Sequence, residues 1–265
     1  MPKIQITLTP PESKRLIGKA VAALPEVKRA FRRGLVIIGV GSTNAYVVEE
    51  LFGNKIEKER FLAGVVLPRG TCVVPEEVRL PQVIIRRGKV VDMRLEEAAD
   101  LLQPGDIVIK GANAIDASGT AGIFLASKRG GTIGRLLGHI AARGVDLIIP
   151  VGLEKFVPGS VSEISRKAGI LRFDYARGCA VGIMPVKGKI ITEIEAVKIL
   201  TGAEAQVMGK GGISGAEGSV TLLIEGSRPQ LMKVKSILKE IEGERPLKVE
   251  PACSSCTRKE CFLHP

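Results

Sequence analysis

Residues 35–51, LVIIGVGSTNAYVVEEL, decide the fold. The run Leu35 to Val40 is apolar without alternation, as in a strand buried on both faces. Gly39-Val40-Gly41-Ser42-Thr43 then forms a tight turn, and Asn44 to Leu51 carries apolar residues at helical spacing. A strand, a glycine turn with hydroxyls and a helix N-terminus together make a ready anion site. The first-turn N–H groups have no partner within the helix, its dipole favours negative charge, and Ser42 and Thr43 add hydroxyl donors. The expected ligand is a phosphate or carboxylate of a small molecule, held at Gly39, Gly41, Ser42, Thr43 and Asn44. The alternative is an ordinary connection whose Gly and Ser merely turn and cap.

Two further loops leave buried strands in the same way. DIVIKG (106–111) leads into Gly111-Ala112-Asn113-Ala114-Ile115-Asp116-Ala117-Ser118-Gly119-Thr120, and VDLIIPV (145–151) leads into Gly152-Leu153-Glu154-Lys155. Ligands of open parallel sheets bind beyond the carboxyl ends of the strands. The three loops are therefore expected to converge, bringing Lys110, Gly111, Asn113, Asp116, Gly119, Thr120, Glu154 and Lys155 to the crevice of Ser42 and Thr43. Asn113 and Asp116 could equally serve a turn, and Glu154 and Lys155 could be a solvated pair.

Composition narrows the function classes. The chain has 265 residues, 45% of them hydrophobic, enough for one large domain with or without a small one. No apolar stretch approaches the roughly 20 residues that span a bilayer, and the N-terminus lacks the apolar core of a signal peptide, so a cytoplasmic protein without a membrane role is expected. The net charge of +11 comes from lysines and arginines spread along the chain, and aromatics are 3% without tryptophan, which disfavours nucleic acid as a partner. The charge suits anionic metabolites. Further copies of the same chain are the other expected partner.

Amphipathic helices between apolar strands predict an α/β architecture, a parallel sheet covered by helices on both faces. Helices are read at 11–33 with a break at Pro25, at about 43–52, after Asp92 as cap, and at Ile133 to Arg143. Strands are read at Phe61–Leu67, within 71–91 around the Arg87-Gly88-Lys89 turn, and at Ala121–Ala126. After about residue 190 the pattern predicts a smaller α+β domain: a helix at Glu193–Thr201, strands at Ala205–Met208 and Ser219–Glu225, and a helix at Pro229–Glu242. The expected division is 1–188, 189–246 and a cysteine-bearing tail, 247–265.

GVGSTNAYVVEEL resembles the phosphate-binding turn and helix of A-type ribose-5-phosphate isomerases. KGANAIDASGTAG is similar to the Asp-containing loop of those enzymes, and VGLEK to the strand end that supplies their lysine. The wider resemblance is to the superfamily of these isomerases, glucosamine-6-phosphate deaminases, CoA transferases and sugar-sensing regulator domains. GANAIDASGTAGIF and LIIPVGLEKFVP also resemble the lactate-utilisation (LUD) branch, with its "xAxxxxGT" loop and "VGxxKxVP" strand end. The resemblance covers residues 35–160 and implies a Rossmann-like fold. It implies that Gly41, Ser42 and Thr43 bind a phosphate, that Asp116 contacts sugar hydroxyls, and that Lys155 holds an anionic or enediolate oxygen. The expected activity is sugar-phosphate isomerase-like or CoA-transferase-like, with a non-catalytic sensor or lactate-utilisation accessory protein as the alternative. One carboxylate of the isomerase pattern is replaced by Asn113, and the Glu-Lys pair of the next helix has its nearest counterpart in Ser127-Lys128. Asp116 and Glu154 are the substitutes for the base, and Glu154 or Glu217 for the transferase nucleophile.

The tail reads Cys253-x2-Cys256-x4-Cys261-x2-His264. Three thiolates and an imidazole match a closed tetrahedral zinc site, while three thiolates also suit a [4Fe–4S] cluster with a fourth ligand from elsewhere. Zinc, iron–sulfur and a metal-free tail all stay open. Cys72 and Cys179, in apolar or glycine-rich surroundings, read as packing residues that could complete a cluster if the tail folds back. His139, among Leu136, Leu137 and Ile140, reads as a packed or capping histidine.

Overall fold

A computed structural model describes residues 1–250 and 261–262. Along the chain, β1 (Lys3–Leu8) passes through a Thr9/Glu12 capping box into α1 (Pro10–Ala23). Pro25 opens α2 (Pro25–Arg33), followed by β2 (Leu35–Ile38) and α3 (Ser42–Phe52). A hairpin of β3 (Gly64–Leu67) and β4 (Gly70–Val73) precedes β5 (Val83–Arg86), β6 (Lys89–Val90) and α4 (Leu95–Leu101). Next come β7 (Ile107–Ile109), β8 (Ala114–Ile115), β9 (Ala121–Leu125), α5 (Gly131–Arg143), β10 (Asp146–Pro150) and α6 (Val161–Lys167). The last third adds β11 (Gly182–Val186), β12 (Lys189–Ile191), α7 (Glu193–Thr201), β13 (Glu204–Lys210), β14 (Val220–Glu225) and α8 (Arg228–Ile241).

All four residues of β2 are buried because both faces of its sheet are covered. Alternation sends them opposite ways. Val36 and Ile38 join a core with α1, α2, α3, α7 and α8, through residues such as Ile17, Val27, Val47, Val197 and Leu231. Leu35 and Ile37 join a second core with α4 and α5, through Leu95, Ala99, Ile133 and Leu136. The result is an α/β, Rossmann-like sandwich. Its sheet runs β12-β10-β7-β2-β5-β6. The first four strands are parallel, whereas β5 and β6 are antiparallel, so the sheet is mixed rather than wholly parallel. β6 returns against β5 through the Arg87-Gly88 hairpin, where both residues have positive φ (50° and 79°), as a tight two-residue return requires.

The C-terminal α+β elements take a strand from the other end of the chain. β1 pairs with β14 from Lys3↔Glu225 to Leu8↔Val220, and β13 flanks β14 on its other side. Leu8, Leu222 and Ile224 enter the same core as β2, and β12 sits in the main sheet. KIQITL, with its alternating pattern, forms the edge strand of this three-stranded sheet. Asp92 does not cap α4: the N-cap is Arg94, two residues on, with no side-chain bond. Among the described residues no helix is long and apolar enough to cross a membrane.

Two features fix α3, which carries the glycine turn. Gly18 of α1 lies against Tyr46, where a Cβ would fall 2.9 Å from the Tyr46 Cβ, so the helices touch backbone to backbone. Arg15 then donates to Glu49 (2.5 Å) and Glu50 (3.0 Å) of α3.

Candidate anion-binding site

A crevice of about 320 Å³ opens at the carboxyl ends of β2, β7 and β10. Val40 to Asn44 line it after β2, Lys110 to Asn113 after β7, and Lys155 after β10. The three loops thus place these residues around one crevice. A fourth wall was not foreseen: Gly130, Gly131 and Thr132 at the start of α5 also face the crevice.

Backbone and side-chain bonds lock the strand ends together. The N–H of Gly39 donates to Ile109 O (3.0 Å) and that of Lys110 to Ile148 O (3.0 Å). Asn44, fully buried, donates through Nδ2 to Gly39 O at 2.6 Å and more weakly to Ile109 O at 3.4 Å. It therefore works as a stitch between β2 and β7 as well as a lining residue. Gly41 donates its own N–H to Phe61 O (2.9 Å), which takes that group away from a ligand. The first-turn N–H groups of Ser42, Thr43 and Asn44 have no carbonyl one helical turn earlier. Neither α3, with Gly41 at its N-cap, nor α5, with Gly130, has a side-chain cap. Two uncapped helix N-termini therefore present partial positive charge to one cavity.

Two lysines reinforce it. Lys110 donates to Val40 O (3.3 Å) and Lys155 to Ala112 O (3.0 Å), and neither forms an ion pair among the described residues. Burial, with the charge of Lys155 adding to it, pushes the Lys110 amine down to about 8. Burial also lowers Lys155, where the nearby Glu154 and Glu193 act in the opposite direction. An enclosed ammonium without a counter-ion costs free energy that a bound anion would return. Gly39 does not line the cavity but leaves room for Lys110 in its observed position: a Cβ there would fall 2.8 Å from Lys110 Cδ and push the lysine stem aside.

The expected carboxylates lie elsewhere. Asp116 is buried outside the cavity lining, and its oxygens accept from Ser118 N (2.9 Å), Ser118 Oγ (2.6 Å), Thr120 N (3.0 Å) and Val161 N (2.9 Å). These bonds, the Ser118 hydroxyl first, hold its carboxyl below the usual value. Gly119, at φ 72°, and Thr120 complete that turn and do not reach the crevice. Glu154 points away, 3.8 Å from Lys14. Asn113 lines the cavity while its Oδ1 accepts from Phe124 N (2.9 Å). Glu217 accepts from Gly215 N in an exposed loop, and His139 lies beside Asp100 on the outer face of α5. Of the three residues expected to act chemically, Lys155 alone stands in the crevice, and among the described residues Glu76, paired with Arg79, is the one carboxylate in its lining.

Sequence reasoning also missed Glu193. It is fully buried at the start of α7, accepts from Leu153 N (2.9 Å), and so anchors the turn that carries Lys155. Among the described residues its other oxygen accepts no hydrogen bond within normal geometry, and burial raises its carboxyl. Cys253, Cys256 and His264 lie outside the described residues. Among those described, no group of three or more ligating side chains stands in metal-binding geometry.

No family model matches the chain, and no curated protein matches it. Among solved structures it is similar to the ribose 5-phosphate isomerase from Plasmodium falciparum, at 15% identity over 89% of this chain and 88% of that one, with a TM-score of 0.27. At that score the likeness says nothing of the crevice, whose description rests on its own geometry.

Proposed function

We propose that the crevice binds a small anionic metabolite, its phosphate or carboxylate seated between the first turns of α3 and α5 and the ammonium groups of Lys110 and Lys155. One observation carries this reading: two uncapped helix N-termini and two lysines without ion pairs among the described residues face a single cavity. A fold gains nothing from that arrangement unless a negative charge completes it.

A second reading, isomerase-like turnover of a sugar phosphate, is favoured by Lys110. Aldose–ketose exchange needs a group that takes and returns a proton near neutral pH. Asp116 is saturated by donors, whereas the Lys110 amine, brought to about 8, is in the cavity and exchanges its proton in that range.

Calorimetric titration with phosphosugars, hydroxy acids, CoA esters and inorganic phosphate tests the first reading. Binding by the parent that is lost in Ser42→Ala/Thr43→Ala and in Lys155→Met supports it. Equal binding by all three proteins, or none by any, refutes it. Interconversion of aldose and ketose phosphates by the parent supports turnover; binding without conversion leaves a sensor or accessory protein.

A further inference from the structure

Lys110 is the first residue beyond β7, the strand that lies between β2 and β10 in the main sheet. Its backbone is fixed on both sides. The Lys110 N–H donates to Ile148 O (3.0 Å), and the preceding carbonyl, Ile109 O, accepts from Gly39 N (3.0 Å). The side chain runs past Gly39 and lines the crevice. A reactive group mounted on a central strand end keeps its position better than one on a free loop.

The ammonium has three donors, and among the described residues one is engaged, in a long bond to Val40 O (3.3 Å). Lys155 is held more closely, to Ala112 O at 3.0 Å, and Glu154 and Glu193 help to keep it charged. The other charged side chains of the lining give Lys110 no counter-ion: Arg79 and Arg135 are cations, and Glu76 is paired with Arg79.

Anion binding alone does not account for this setting. A site that only holds a negative charge works best with lysines that stay protonated. Burial and the charge of Lys155 instead bring the Lys110 amine to about 8, so about a tenth of it is neutral near pH 7. A lysine that is desolvated and set beside a second cation is an activated nucleophile, and its chemistry is attack on a carbonyl carbon.

We propose that Lys110 forms a Schiff base with its ligand, which makes the ligand a small aldehyde or ketone that also carries a phosphate or carboxylate. The inference rests on the anion-binding reading of the crevice, with the two helix N-termini and Lys155 holding the charged group. Written from the ammonium, two hydrogens leave Lys110 Nζ and depart with the carbonyl oxygen as water. A C=N bond replaces the C=O bond, and the single positive charge stays on the iminium, so no oxidant or reductant takes part. The iminium still faces the anion, and it draws electrons from the C–H and C–C bonds beside it, which is the class of bond it would make labile.

The test uses the unaltered full-length protein with cyanoborohydride, which reduces an iminium to a stable secondary amine. Glyceraldehyde 3-phosphate and pyruvate are the two probes. The intact mass should rise by that of the probe less one oxygen atom, once per chain, and peptide mapping should place the adduct on Lys110. Near pH 7 an amine at about 8 has on the order of a hundredfold more neutral form than one at 10.5, so Lys110 should label about tenfold or more ahead of lysines outside the crevice. Glycerol 3-phosphate has the anion without the carbonyl. It should bind in calorimetry, give no adduct and protect Lys110 from glyceraldehyde 3-phosphate. An adduct with that aldehyde alone marks a phosphate as the anion, and one with pyruvate alone marks a carboxylate. Binding of glycerol 3-phosphate with no Lys110 adduct from either probe would overturn the Schiff base and leave the anion site standing. Neither binding nor adduct would overturn both. Labelling of Lys155 in place of Lys110, or of surface lysines at the same rate, would also overturn the proposal.

Discussion

Lys110→Met should make the protein more stable and its ligand binding weaker. Methionine keeps the unbranched stem that runs past Gly39 and removes the charge. Burial lowers the amine from 10.5 to about 8. At about 1.4 kcal/mol per tenfold, this is a penalty of roughly 3 kcal/mol on the folded state while the lysine is charged. The lost bond to Val40 O returns about 1 kcal/mol of that. A net gain of about 2 kcal/mol near pH 7 remains, or a Tm rise of roughly 4–8 °C for a chain of this size.

The sign follows from proton counting. Below pH 8 both states hold the proton, so the penalty is constant and the variant keeps its full lead. Between pH 8 and 10.5 the unfolded chain binds the proton and the native state does not, so the parent gains stability as pH rises. The lead therefore shrinks across that window and is gone above it. Binding moves the other way. A charge-assisted bond from the ammonium to a phosphate oxygen contributes about 1.5–3 kcal/mol, so the variant's Kd should rise roughly 10- to 150-fold. Thermal melts from pH 6 to 11 and titration with the best phosphosugar read both effects. A variant that melts lower, with affinity unchanged, would make Lys110 a structural residue and refute the assignment.

Asp116→Ala should cost about 2–4 kcal/mol, because the buried N–H groups of Thr120 and Val161 lose their acceptor, while ligand affinity in the folded protein stays the same. The lowered Asp116 carboxyl gives stability that is present above its ordinary 3.8 and lost as pH falls further, which acid titration of parent against variant would show. Glu193→Gln should raise stability at neutral pH, since a carboxyl raised by burial penalises the charged form. That gain should fade below pH 4.5, where both states of the parent are protonated, and melts at pH 7 and 4 check it. Gly39→Ala should displace the Lys110 stem, weakening ligand binding at little cost in Tm because the side chain can swing aside.

The sandwich and the crevice were legible because their signals are local. LVII, IVI and LIIP are short apolar runs buried on both faces, and each is followed by small or polar residues suited to a turn. What could not be read was pairing across long separations. The union of β1 with β14 joins residues more than 200 apart, and the Thr71–Gly178 contact more than 100. The carboxylates were misplaced for a different reason. DASGT is an Asp followed by its own donors, so Ser118 and Thr120 consume the Asp116 carboxylate before any ligand can reach it.

Lys110 shows where sequence reasoning runs out and energetics continues. In one dimension a lysine between IVI and GAN is indistinguishable from a stem lying along the surface with its charge in water. In the fold a second lysine, from the turn after β10, stands in the same cavity, neither has a counter-ion among the described residues, and Gly39 leaves room for the stem. Each of these features lowers stability or gains none for the free protein. Destabilising choices gathered at one point, beside two extensive apolar cores, mark residues kept for something that binds there. A negatively charged ligand relieves all of them together, because it supplies the counter-ion to both lysines and the acceptor for both helix ends.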